Sequence, residues 1–213
     1  AGVLEEGQIT RDSLGTPQGS VCSPLLANVY FHYALDEWFY NDVLPRLKRR
    51  TSLTRFCDDF VMVFEDYSDC VRVQRVLRAR MGRYALTLHE EKTQLVDFRF
   101  KRPQITANAK STTFNFLGFT HVWGKSQKGK AVVRQYTAKD RYAKALKALN
   151  EWCRTNRHRP IEEQREKLKL KMQRHYAYYG ITGNGKRLQW YAHQAERIWQ
   201  KWLSRRTRNG SIP

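Results

Sequence analysis

Asp58 and Asp59 stand side by side in Leu-Thr-Arg-Phe-Cys-Asp-Asp-Phe-Val-Met-Val-Phe, Leu53 to Phe64, a run otherwise rich in apolar residues. A carboxylate withdrawn from water needs a cation or a metal beside it. Successive side chains of a strand point to opposite faces, so neighbouring acids can serve one site only where the strand turns. The pair therefore predicts a hairpin tip whose carboxylate oxygens hold a hard divalent ion, Mg²⁺ or Mn²⁺. The plain alternative is a solvated turn carrying two ordinary acids, since Asp is common in turns.

A second element lies some forty residues upstream. Gly15-Thr16-Pro17-Gln18-Gly19-Ser20 sets two glycines and a proline in one tight turn, residues that fix the backbone there. Other chemistries find little support. Cys22, Cys57, Cys70 and Cys153 include no CxxC pair, which argues against a zinc ribbon or a disulfide framework. His89, His121, His158, His175 and His193 show no metal-ligand spacing with one another or with cysteine.

Charge points to a partner. Thirty-nine Lys and Arg face twenty Asp and Glu, a formal net charge of +19. An excess of that size fits a polyanion, because phosphate neutralisation releases counterions. Basic ribosomal-type and membrane-surface proteins are the other reading. From Thr137 onward there are 19 basic and 6 acidic residues, net +13, against 20 and 14, net +6, before it. The back third is the expected grip.

The elements that must position these groups follow from spacing. Hydrophobic content of 41% and aromatic content of 13% exclude a purely disordered chain. No apolar run reaches the eighteen or so residues of a membrane span and no signal peptide is visible, so a soluble, cytoplasmic protein is expected. Gly7 to Leu14 reads as a polar hairpin or loop. Leu25, Leu26, Val29, Tyr30 and Tyr33 recur at helical spacing, predicting a helix to about Tyr40 with Pro24 in its first turn. Leu53 to Phe64 reads as a hairpin, and Ser68 as the cap of a helix to about Tyr84 with Val71, Val73, Val76 and Leu77 as its apolar face. Thr93 to Phe98 alternates like a strand, and a hairpin is expected from about Thr113 to Tyr136 with its turn at Lys125 to Gly129. Three amphipathic helices then follow, separated by Arg159-Pro160 and Gly183-Asn184-Gly185. The expectation is an α+β chain: residues 1–136 with helices on antiparallel sheet, and residues 137–213 a three-helix bundle.

The turn Gly-Thr-Pro-Gln-Gly, followed by Ser-Pro-Leu-Leu-Ala-Asn and then by Phe56-Cys57-Asp58-Asp59, resembles the palm of reverse transcriptases. Leu88-His89-Glu90-Glu91-Lys92-Thr93 and Phe116-Leu117-Gly118-Phe119 look like the group II intron reverse transcriptase–maturase lineage. Arg174-His175-Tyr176-Ala177-Tyr178-Tyr179-Gly180 and Trp199-Gln200-Lys201-Trp202-Leu203-Ser204-Arg205-Arg206 look like its thumb, or maturase, region. The resemblance covers nearly the whole chain in the family's order.

It implies roles position by position. Asp58 and Asp59 match the metal-binding acids of a two-metal site that activates the primer 3′-hydroxyl and stabilises leaving pyrophosphate. Phe56 matches the preceding aromatic, and Cys57 stands where the family usually has Ala. Pro17, Gln18 and Gly19 match the loop against the incoming dNTP, and Lys92 a lysine near nucleotide and primer end, its alternative being a solvated charge. Phe116, Leu117, Gly118 and Phe119 match the hairpin that holds the primer end; one of the phenylalanines is expected to be core. In the thumb, Trp152, Tyr176, Trp199 and Trp202 fall on apolar helix faces and are expected in the core. Lys144, Lys147, Lys167, Lys171, Arg174, Lys201, Arg205 and Arg206 lie opposite and are the candidate phosphate contacts.

The family's fingers, and the strand bearing its third catalytic aspartate, lie upstream of the Gly-Thr-Pro-Gln-Gly turn. Only fourteen residues precede that turn here, and Asp12 among them sits in polar surroundings. The chain is thus expected to be a fragment that binds RNA without catalysis alone. The implied function is RNA-directed DNA synthesis with help to intron splicing, on intron RNA or an RNA template with a DNA primer, in a bacterial or organellar host. A non-catalytic splicing cofactor is the alternative. A retron-type, diversity-generating or defence enzyme shares the palm motifs but not the Tyr-Tyr-Gly and Trp-x-x-Trp-Leu segments.

Overall fold

The computed structural model describes residues 3–5, 8–10, 22–100 and 112–206. They form two compact units, which divide after Gln94.

In the first unit, β1 (Val3–Glu5) and β2 (Gln8–Thr10) pair antiparallel. Helix α1 (Ser23–Phe31) opens with Pro24 in its first turn, where a missing N–H costs nothing. The chain then widens into π-helical turns, His32–Asp36 and Trp38–Val43, and closes in a short 3₁₀ turn, Leu44–Arg46. A regular helix to Tyr40 was the expectation. In the widened part the Arg80 guanidinium donates to the carbonyls of Ala34 and Tyr33, at 3.0 and 2.9 Å, so those acceptors gain a partner outside the helix.

The periodic face of α1 is also not the buried one. Leu25 and Leu26 are 68% and 55% exposed, and α1 buries no residue. Burial falls on Ala34, Leu35, Phe39 and Val43 instead. Leu35, Phe39 and Val43 pack against α2 (Tyr67–Arg83) through Val73, Leu77 and Met81, while Val76 points outward. Asp66, not Ser68, caps α2: its carboxylate accepts from the Asp69 amide at 3.0 Å and from the Ser68 hydroxyl at 2.5 Å. Those two bonds hold the exposed Asp66 carboxyl below its ordinary pKa.

Between these helices lies the hairpin of β3 (Thr51–Phe56) and β4 (Asp59–Phe64), in register from Thr51 with Phe64 to Phe56 with Asp59. Its inward residues Leu53, Phe60, Met62 and Phe64 cover the helical core.

In the second unit, β5 (Thr113–Phe116), β6 (Phe119–Lys125) and β7 (Ala131–Thr137) form an antiparallel sheet in sequence order. The expected single hairpin is thus two, turning at Leu117-Gly118 and after Lys125. The strand expected at Thr93 to Phe98 does not form. The Trp123 indole N–H donates to the Phe98 carbonyl at 2.6 Å and its ring stacks on Phe98, so side-chain contacts replace a ladder.

Helices α3 (Lys139–Asn156), α4 (Ile161–Tyr179) and α5 (Gly185–Leu203) follow as expected. Leu149, Cys153, Leu168 and Ala195 form their core, with Trp152, Trp199 and Trp202 packed against it. Burial there raises the Cys153 thiol to about 11. Gln164, 1% exposed, ties the bundle together. Its amide donates to the carbonyls of Arg157 and Arg159 and accepts from the Trp199 indole at 3.0 Å.

A boundary near Tyr136 does not separate compact units, because sheet and bundle are joined there. Thr137 ends β7 fully buried against Asn184, which precedes α5. The Ala138 amide donates to Gly118, and Phe119 packs on Tyr178 and Tyr179 of α4. Among the described residues no helix is long and apolar enough to cross a membrane.

Candidate active site and nucleic-acid interface

The β3–β4 turn consists of Cys57 and Asp58, with Asp59 opening β4 opposite Phe56. The acids therefore meet at a hairpin tip, where alternation is broken and both are exposed. Cys57 takes a φ of +54°, the left-handed region that a side chain enters at a cost of roughly 1 kcal/mol.

Arg55 holds that turn in place. Its guanidinium forks onto the Asp36 carboxylate at 2.9 and 2.6 Å, and donates through Nη1 to Asn28 Oδ1 and the Cys57 carbonyl, both at 2.9 Å. The Phe31 ring lies 5.8 Å from it. Asn28 completes the clasp with its amide 3.9 Å from Cys57 Sγ. The bond to Asp36 raises the Arg55 pKa further, so the group is permanently charged. A two-residue turn is in this way tied to α1 and to the π-helical segment after it.

Arg55 is spent on Asp36, and neither Asp58 nor Asp59 forms a salt bridge among the described residues. Two adjacent carboxylates thus stay unneutralised in a chain of net charge +19. Their donor type suits Mg²⁺ or Mn²⁺, hard cations that take oxygen ligands. They make only part of a shell: among the described residues no group of three His, Cys, Asp or Glu converges.

The other expected site residues fall as follows. Pro17, Gln18 and Gly19 lie outside the described residues. Phe56 is 61% exposed beside the acids. Lys92 is exposed in a turn after α2, its amide donating to the His89 carbonyl at 3.2 Å.

Phe116 to Phe119 form the β5–β6 turn, with φ of +49° at Leu117 and +76° at Gly118. Two successive positive φ values suit the right-handed twist of a tight hairpin. Both phenylalanines are half-buried. The Tyr178 hydroxyl donates to the Leu117 carbonyl at 3.0 Å, and Phe119 stacks on Tyr178 at 5.9 Å. A Cβ on Gly118 would come within 3.2 Å of the Tyr179 hydroxyl. Neither tyrosine was assigned this role from sequence, although both stand in the quoted Tyr-Tyr-Gly segment.

In the helical bundle Lys144, Lys147, Lys167, Lys171, Arg174, Lys201 and Arg205 are exposed. Acids of α3 and α4 pair with other cations: Asp140 with Arg141, Glu151 with Arg154, Glu163 with Arg159, and Glu162 and Glu166 with Arg165. None of the seven forms a salt bridge among the described residues. Lys171 rests over Trp152, and Lys201 and Arg205 over Trp202. Arg206 differs. It is half-buried and donates to the carbonyls of His158 and Arg159 at 3.4 and 2.9 Å, which makes it a brace between α5 and the α3–α4 connection.

Comparison with known proteins adds the following. The family model for reverse transcriptase (RNA-dependent DNA polymerase) matches residues 4–121. That stretch contains the β3–β4 tip and the Leu117-Gly118 turn. An uncharacterized 91 kDa protein in cob intron from Schizosaccharomyces pombe is 54% identical over 41 residues, 19% of this chain and 5% of that protein. The chain thus spans a small part of that relative's length. No solved structure matches.

Proposed function

The chain belongs to the reverse transcriptase (RNA-dependent DNA polymerase) family, and from that membership we propose that it is part of a group II intron-type enzyme that copies RNA into DNA and assists splicing of its intron. The observation that carries the reading is the Asp58–Asp59 pair: exposed, without a salt bridge among the described residues, and fixed at a hairpin tip by Arg55. Asp58 and Asp59 would hold Mg²⁺, which supplies activation of the primer hydroxyl and charge stabilisation at the leaving pyrophosphate. Phe56 flanks the nucleotide, with Pro17, Gln18, Gly19 and Lys92 as its further contacts. Phe116 to Phe119 hold the primer end. Among the described residues no third acid joins the pair, so the 213-residue chain by itself is expected to bind RNA without extending a primer.

A second reading, a splicing cofactor without polymerase activity, is favoured by the bundle alone. Its seven exposed cations without salt bridges need only RNA phosphates.

One substitution separates the two. In an extension-competent protein that contains this chain, Asp58→Asn is expected to cut primer extension on a homopolymer RNA template by about a thousandfold or more, since it withdraws a metal-holding charge. RNA affinity is expected to stay unchanged. Extension within about tenfold of the unmutated protein would place the metal elsewhere. Binding itself is read by salt: seven or eight phosphate contacts give a slope of log affinity against log salt of about −6 to −7. Replacing Lys167, Arg174, Lys201 and Arg205 by Ala should flatten it, with Arg206 left in place as a brace.

A further inference from the structure

One face of α5 is built for something other than packing. Its inward side carries Tyr191 and Ala195, at 4% and 7% exposure, together with Trp199 and Trp202. Both of those indoles have partners: Trp199 donates to Gln164 and Trp202 to Asn150 Oδ1 at 2.9 Å. Trp190 faces the other way. It is 68% exposed and makes no ring contact or hydrogen bond among the described residues.

At 100° per residue, Lys186, Trp190, His193 and Arg197 fall within an arc of about 60°. All four are exposed. With Gln189 and Gln194, the Trp190, His193 and Arg197 side chains line an open hollow on the helix. Glu196, the one acid of α5, stands roughly 120° round the axis from Trp190. The centre of the face is therefore cationic and aromatic with amides at its margins, and the exposed Glu196 stands outside that centre, beside Gln189.

We propose that this face binds an unpaired nucleobase of RNA: the base stacks on Trp190, Gln189, His193 and Gln194 meet its edge, and Lys186 and Arg197 take the flanking phosphates. Charge decides the class of partner. A protein groove would have to be acidic to meet Lys186 and Arg197, whereas RNA supplies the anion and the flat π-face together. A base pair inside a duplex is excluded by geometry, since both of its faces are already stacked. The site rests on the RNA-binding reading above and adds to it a preference for unpaired positions, which phosphate contacts alone do not give.

The test compares two RNA probes at fixed salt, a hairpin with an unpaired loop and a blunt duplex of equal length. Trp190→Ala is expected to weaken loop binding about ten- to hundredfold and to leave the duplex unchanged. Trp190→Phe, which keeps a ring, is expected to retain most of the loop affinity. Trp190 is exposed, so thermal unfolding should not move with either variant. Equal loss on both probes, or loss on neither, overturns the proposal. So does a Trp190→Ala variant that keeps RNA affinity but changes sedimentation, because the face then serves a protein contact. An unmutated chain that binds neither probe fails the RNA-binding reading itself; binding to both with Trp190→Ala silent fails this site alone.

Discussion

Thr137 and Asn184, 47 residues apart, hold each other by two hydrogen bonds in a fully buried position. The Thr137 amide donates to Asn184 Oδ1 at 3.1 Å, and Asn184 Nδ2 donates to Thr137 Oγ1 at 2.8 Å. Nδ2 also reaches the Tyr179 carbonyl at 2.8 Å. One side chain thus joins the end of the sheet, the end of α4 and the start of α5.

Asn184→Ala would leave the Thr137 amide without its acceptor in a site that water does not reach. The expected cost is about 2–4 kcal/mol, from the orphaned groups and the lost bonds together. Chemical denaturation of the chain checks it, and Asn184→Asp, which keeps the acceptor but sets a second oxygen against the Tyr179 carbonyl in a buried site, should cost at least as much.

Arg55→Lys keeps the charge but loses the fork. A single ammonium cannot serve Asp36, Asn28 and the Cys57 carbonyl at once. We expect a loss of about 2–3 kcal/mol in stability. If the proposed polymerase reading holds, extension should fall while RNA affinity holds, because the acids remain but their turn is no longer fixed. Extension at the unmutated level would show that Arg55 serves only the fold.

The Leu117-Gly118 turn is the third target. Gly118→Ala meets both a φ of +76° and the Tyr179 hydroxyl at 3.2 Å, so it should destabilise by about 1–2 kcal/mol. Tyr178→Phe removes one exposed hydrogen bond and should cost about 0.5–1.5 kcal/mol. If the turn holds a primer, both variants should raise the KM for primer more than they lower stability at the assay temperature.

His175 and His121 predict a pH dependence. His175 stacks on Tyr191 at 3.7 Å and packs beside Tyr179, and its Nε2 is buried without a hydrogen bond among the described residues. Burial lowers the pKa of both histidines below the ordinary value. The unfolded chain then takes up protons that the folded chain refuses, so stability present above about pH 6.5 is lost as pH falls toward the folded pKa values. Thermal unfolding at pH 7.5 and 5.5 should show the drop, and His175→Phe should reduce it.

What the sequence made legible depended on how local the cause was. The Cys57-Asp58 tip could be read because two acids in an apolar strand allow few arrangements. The three helices could be read because their faces repeat. Asn28 lay in plain view inside Ser-Pro-Leu-Leu-Ala-Asn, yet its role needed Arg55, 27 residues away, to arrive beside it. The π-helical widening was hidden for the same reason, since Arg80, 46 residues from Ala34, supplies its partner. The exposed run Leu25, Leu26 and Val29 shows the opposite error. Helical spacing was right, but spacing says which residues share a face and not which face is covered. Trp190 could have been separated from the other tryptophans by phase alone, as it stands about 100° before Tyr191 on the wheel.

The fastening of Leu117 and Gly118 to Tyr178 and Tyr179 makes the hairpin and α4 a single lever. The helix has 19 residues and spans about 28 Å, with the hairpin at its carboxyl end. A tilt of about 5° around the midpoint displaces that end by about 1 Å, comparable to the tolerance within which reacting atoms must be held. Lys167, Lys171 and Arg174 sit on the same rod. Under the proposed reading, in which these cations hold RNA and the hairpin holds a primer, tension in the RNA strand would arrive at the hairpin as a change in position, a mechanical route from template load to primer alignment.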